Sequence, residues 1–146
     1  MRLRKIWLLC NLVCIIPGAF AQQFIHPGVL HSEKSLERIK RLVDQKAQPA
    51  YGSYEILAKL PEARADYQMK GPFEIISRDG KYGYTKGPSE RDFNSAYYNA
   101  LLWKITGKKA HADKSMEIIR AYARTVRQIP PTNDAPLCAG LQGFIL

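Results

Sequence analysis

The residues of this chain best suited to holding a ligand lie between Arg78 and Lys86, where Arg78, Lys81 and Lys86 are interleaved with Tyr82 and Tyr84. Aromatic rings pack on sugar faces and cations pair with carboxylates, so this mixture suits an anionic sugar chain. The same loop has a plainer use, in which its rings simply pack on neighbouring helices. Other chemistry is harder to find. His26, His31 and His111 show no ligand spacing with one another or with a carboxylate, so no histidine-based metal site is expected. The Walker loop, the glycine-rich dinucleotide turn, the serine-hydrolase elbow and the zinc-protease helix are all absent from the sequence, and no cofactor is expected.

The leading segment reads as a signal peptide over residues 1–21. Met1 to Lys5 is basic, Ile6 to Ile16 is apolar, and Ala19-Phe20-Ala21 supplies a small-x-small cleavage site. The apolar run is short and is broken by Pro17-Gly18, so no stable membrane insertion is expected after cleavage. The expected location is periplasmic or secreted. Cys10 and Cys14 leave with this segment, so Cys138 remains alone and no internal disulfide is expected. Losing Arg2, Arg4 and Lys5 lowers the net charge from +9 to +6. An exported basic protein meets an acidic polysaccharide or an anionic membrane rather than nucleic acid, although a solvated basic face explains such a charge as well.

The elements that must position the loop are helical. Across 146 residues, residues 22–146 form one globular domain at most. Ser32 is placed to cap a helix whose apolar face is Leu36, Ile39, Leu42 and Val43 and which ends near Lys46. A second helix begins around Pro49, buries Tyr51, Tyr54, Leu57 and Leu60, and ends at Pro61. From Pro61 to Pro88, three prolines and four glycines interrupt any helical period. A loop this long in a compact domain is functional or disordered, and Tyr67, Phe73, Tyr82 and Tyr84 argue against disorder. Phe73 to Ile76 reads as a short strand within it.

Asp92 to Tyr122 then reads as two helices joined at Gly107, with Ser89 and Asp92 resembling a capping box. The first helix carries Phe93, Ala96, Ala100 and Trp103 on an apolar stripe, with Ser95, Asn99 and Thr106 following Asp92 along the opposite side. The second carries two apolar stripes, Ala112, Met116, Ile119, Ala123 and Val126 on one, Ile118, Tyr122 and Thr125 on the other. Its charges, Asp113, Glu117, Arg120, Arg124 and Arg127, form a third. A helix with two apolar stripes expects cover on two sides.

The run from Tyr97 to Ala112, with Ala100, Leu101, Trp103, Thr106 and Gly107, resembles a helical hairpin of the alginate lyase-like polysaccharide lyases. Phe24 to Leu30 (FIHPGVL), followed by His31 and Ser32, resembles the approach to that family's first helix. The resemblance spans roughly Phe24 to Val126. It implies an all-α fold, an incomplete α/α toroid of helical hairpins with one long aromatic-rich loop. Leu137 to Leu146, LCAGLQGFIL, has no charge and is similar to the start of the family's next inner helix, so residues 22–146 read as the N-terminal, truncated part of the toroid domain.

The implied reaction is β-elimination on a uronate-containing polysaccharide. It needs donors or cations that neutralise the carboxylate, a base for the C5 proton and an acid for the leaving oxygen. The family's asparagine, histidine and later base would lie beyond Leu146, so no catalytic residue is assigned. The residues expected to contribute to the substrate cleft are Arg78, Arg91, Asp92, Asn94 and Gln142. Each also has an ordinary structural use: the arginines in ion pairs, Asp92 as a cap, Asn94 and Gln142 bonding backbone. The competing class is a non-catalytic secreted helical-hairpin module that binds glycan or protein through the tyrosine- and arginine-rich loop.

Overall fold

The computed structural model of the chain describes residues 30–130, which are mostly helical and contain no strand. The segment expected to be a signal peptide, Cys138, Gln142 and the apolar segment from Leu137 to Leu146 lie outside the described residues.

Helix α1 spans Glu33–Asp44, and its start is dictated locally. The Ser32 hydroxyl accepts from the Ser35 backbone N–H at 3.2 Å, a cap worth about 1 kcal/mol. The helix buries Leu36 and Val43, and Lys40 donates to the carbonyl of Ile105 (3.1 Å), where the last turn of another helix leaves acceptors unpaired. Helix α2 spans Ala50–Lys59. Its expected face of Tyr51, Tyr54, Leu57 and Leu60 is only half-buried, and Ile56 is exposed. A 3-10 turn, Pro61–Ala63, follows, and Ala63 is buried.

The next segment is ordered by its contacts. Tyr67 and Ile76 enter the core with Ala96, Ile118 and Tyr122, and Met69, Phe73, Phe93 and Val126 pack around them. Full burial of a side chain the size of Ile118 is worth about 1.5–3 kcal/mol. The strand expected at Phe73 to Ile76 is a single parallel bridge from Ile75 to Gln128, framed by Arg127 N–H to Glu74 O (2.8 Å) and Ile76 N–H to Gln128 O (3.2 Å). A second 3-10 turn, Gly80–Thr85, leads directly into helix α3, Lys86–Thr106.

Helix α3 starts ahead of the expected Ser89–Asp92 cap, because proline is tolerated in a first turn and Pro88 does not end the preceding loop. The Ser89 hydroxyl donates instead to Lys86 O at 2.9 Å. Gly107 ends α3 as expected, at φ 72°, with its N–H on Trp103 O (2.7 Å). Helix α4 spans Lys109–Thr125 and packs antiparallel against α3, while α1 and both 3-10 turns also pack on α3.

Two faces differ from expectation. Helix α3 buries Ser89, Asp92, Ser95, Ala96, Asn99, Leu102 and Ile105, so the polar stripe is the inward one, and Trp103 is 40% exposed. Small and hydrogen-bonding side chains let the 61–71 segment approach α3 closely and satisfy its backbone, which a stripe of large apolar groups would not do. On α4, Ile118 and Tyr122 are the buried stripe, and Met116 is 43% exposed. The charged stripe from Asp113 to Arg127 faces outward as expected. No helix among the described residues is long and apolar enough to cross a membrane.

Candidate functional site

Three features meet along the inward face of α3. The first is a buried carboxylate. Asp92 has no exposed surface, and its oxygens accept from Tyr67 OH (2.8 Å), Tyr122 OH (2.7 Å), Lys70 N–H (2.8 Å) and Gly71 N–H (2.8 Å). Charge-assisted bonds of this kind are roughly twice as strong as neutral ones. Burial, and then the bond to Asp92, raises both tyrosine hydroxyls well above the ordinary value, so both stay protonated at neutral pH. Gly71 is required here: a Cβ would sit 2.9 Å from Tyr122 Cζ and 2.9 Å from Phe73 Cδ2.

The second feature is a cleft of about 360 Å³ above this carboxylate, lined by Glu62, Arg64, Asp66, Tyr67, Gln68, Lys70 and Arg91. Arg64 and Asp66 form a bidentate pair, Nε to Oδ1 at 2.8 Å and Nη2 to Oδ2 at 2.7 Å. The hydrogen bond from Arg64 holds the Asp66 carboxyl below its usual value and raises the guanidinium in return. Lys70 and Arg91 are exposed and form no side-chain ion pair among the described residues, so they present cations to the cleft.

The third feature is a cleft of about 400 Å³ that shares the Arg64–Asp66 wall and continues to Tyr54, Leu102, Lys108 and His111. Here the Asn99 amide is the inner anchor. Its nitrogen donates to Ser95 O (2.9 Å) and Glu62 O (3.2 Å), and its oxygen faces His111 Nδ1 at 2.7 Å. Burial, and then the neighbouring Lys108, lowers the affinity of His111 for a proton, so the ring is neutral at neutral pH.

The expected contact residues are dispersed by this arrangement. Arg91 lines the first cleft; Asn94 is exposed one turn further along α3 and lines neither cleft. Arg78 is exposed in the loop and also lines neither. Asp92 is neither a cap nor a ligand contact, because it is sealed inside with its acceptor positions filled. Gln142 lies outside the described residues. Tyr97 and Tyr98 are half-buried, and Tyr97 OH meets His31 Nε2 at 2.8 Å with the rings stacked.

Lys70, Arg64, Asp66 and His111 were not singled out by the sequence. The run from Arg64 to Lys70, with two cations around Asp66 and Tyr67, carries a usable signal. His111 carries none, since its partner Asn99 lies across the Gly107 turn. Among the described residues, no three His, Cys, Asp or Glu side chains are grouped to hold a metal ion.

Compared with known proteins, the chain matches no family model, no curated protein and no solved structure.

Proposed function

We propose that this chain grips an anionic, uronate-containing polysaccharide, as the helical-hairpin part of an α/α toroid in an exported polysaccharide lyase that acts by β-elimination. The observation that carries the reading is the first cleft, where Lys70 and Arg91 stand beside Gln68 and the bidentate Arg64–Asp66 pair. Arginine pairs with a carboxylate through two parallel hydrogen bonds, and lysine supplies a point charge, so a uronate carboxylate has both kinds of partner there. The same Arg64–Asp66 pair also lines the second cleft, so the two clefts are neighbours.

A second reading, a secreted binding module without lyase activity, is favoured by one specific observation. Tyr67 lines the first cleft and Tyr122 lies behind it across Asp92, and both hydroxyls are committed to that carboxylate and held protonated. Neither is placed to take a proton from a sugar. No catalytic residue is assigned among residues 30–130.

Binding and turnover separate these readings. Calorimetric titration of the full chain with an oligouronate should show binding that weakens with added salt, as screening of exposed charges requires. Replacing Arg91→Glu should lower affinity by about tenfold or more, the size of one charged hydrogen bond. Equal binding to a neutral oligosaccharide, or no effect of Arg91→Glu, would overturn the gripping function. Appearance of the unsaturated sugar chromophore marks the lyase; binding without it selects the module.

A further inference from the structure

We infer that the cleft between α2 and the α3–α4 turn is a second sugar subsite, in which Nε2 of His111 accepts a hydrogen bond from a ring hydroxyl and Lys108 meets the same ring's carboxylate. The inference rests on the uronate-binding reading above and assigns roles that the reading itself does not require.

The tautomer of His111 follows from its neighbour. The Asn99 amide nitrogen must face the carbonyls of Ser95 and Glu62, because two oxygens at 2.9 and 3.2 Å need a donor. The amide oxygen therefore faces His111 Nδ1 at 2.7 Å, and two acceptors cannot face each other at that distance. Nδ1 carries the proton. The other ring nitrogen, Nε2, is left as a lone-pair acceptor, and it has no protein partner among the described residues. The ring also lines the cleft. A buried anchor thus fixes one face of the imidazole and offers the other to whatever occupies the cleft.

The cleft walls suit a sugar ring. Ala58, Ala63 and Leu102 form an apolar side and Tyr54 adds an aromatic ring, while Lys108 and the Arg64–Asp66 pair form the polar side. At about 400 Å³ the space falls in the range of small-molecule sites, roughly 300–1,000 Å³. Because Arg64 and Asp66 also wall the first cleft, neighbouring units of one chain can occupy both.

The test is nitrogen-detected NMR of the histidine rings in the full chain, titrated with oligouronates of increasing length and with a neutral oligosaccharide of equal length. The expected result is an unprotonated Nε2 signal for His111 that shifts saturably with the longer oligouronates, together with the Lys70 and Arg91 resonances. Lys108→Ala, at an exposed turn position, should cancel the affinity gained by lengthening the ligand, a loss of about tenfold. His111→Phe should reduce affinity by about five- to tenfold, as loss of one neutral hydrogen bond implies. If Lys70 and Arg91 respond while His111 and Lys108 do not, the second subsite is wrong and the gripping function stands. If no resonance responds to an oligouronate, both fail. An Nδ1 atom found without its proton removes the premise and overturns the assignment.

Discussion

Asp92 and Asn99 lie two turns apart on the same buried face of α3, and the molecule uses them in opposite ways. Every acceptor position of Asp92 is filled from within, by two tyrosine hydroxyls and two backbone N–H groups. Asn99 is equally buried, but its hydrogen bonds pass outward to His111, whose second nitrogen has no protein partner among the described residues. The difference separates two uses of buried polarity. A closed node ties three segments together, whereas a node that ends at an unpaired surface atom leaves something for a ligand.

The sharpest way to break this comparison is Asp92→Asn. The side chain keeps its shape but exchanges an acceptor oxygen for a donor nitrogen. Whichever way the amide turns, it faces one of two backbone N–H groups, Lys70 on one side or Gly71 on the other. A buried donor is stranded and the charge that strengthened every bond is lost, so the expected cost is about 3 kcal/mol or more. Against a typical stability of about 5–15 kcal/mol, urea denaturation should show a large fall in midpoint. A loss under about 1 kcal/mol would mean that the closed node contributes little.

Next in size are Tyr122→Phe and Tyr67→Phe. Each removes one donor to a charged acceptor, an expected loss of about 1.5–3 kcal/mol. The pair also predicts an alkaline limit. Both hydroxyls have a folded-state pKa raised above the ordinary 10.0, first by burial and then by Asp92. Above about pH 10 the unfolded chain releases these protons while the folded chain retains them. Stability is therefore complete below that pH and falls as pH rises beyond it. Either phenylalanine variant should flatten the fall measured by thermal melts, and an unchanged slope would place its source elsewhere.

These nodes also show which parts of the fold were legible in the sequence. Ser32 and Gly107 were readable because capping depends on a few adjacent residues, and the structure places both helix ends there. The outward charges of α4 were readable because a charged stripe rarely has any other home. The inward face of α3 was not. Its apolar and polar stripes are both continuous, and what decides between them is the 61–71 segment, whose backbone donors need Asp92 and whose carbonyls need Asn99. Tyr67 and Asp92 are too far apart in sequence to signal each other. For the site, Arg91 was named only through the family resemblance, while its neighbours Lys70 and Gln68 reach the cleft only through the path of that same segment.

Asn99→Ala should cost less than the tyrosine changes, about 1–2 kcal/mol, because the Glu62 and Ser95 carbonyls lose only a neutral donor. Its diagnostic effect lies elsewhere. Without Oδ1 to hold Nδ1–H, His111 should populate both tautomers, and its ring nitrogen signals should shift accordingly. A His111 spectrum indifferent to Asn99→Ala would close the distinction between the two nodes.

The smallest expected effect tests the open node by pH. The folded-state pKa of His111 is lowered below its ordinary 6.5, by burial first and by Lys108 second. Below that value the unfolded chain binds a proton that the folded chain resists, so the unfolded state gains. The contribution of His111 is therefore complete above about pH 6.5 and is lost as pH falls toward the folded-state value. Carboxylates titrate nearby and blur the total, so the comparison must be made between the native chain and His111→Phe, with melts at intervals between about pH 7 and 5. The difference between the two curves should open only in that window, and Lys108→Ala should narrow it. A ligand hydroxyl donated to Nε2 competes with the proton for the same lone pair, while the ring's carboxylate offsets Lys108 and favours the proton, so an oligouronate should displace the titration of His111. A titration that ignores the ligand would place Nε2 outside the ligand's reach, leaving the Asn99 node as closed as the one at Asp92.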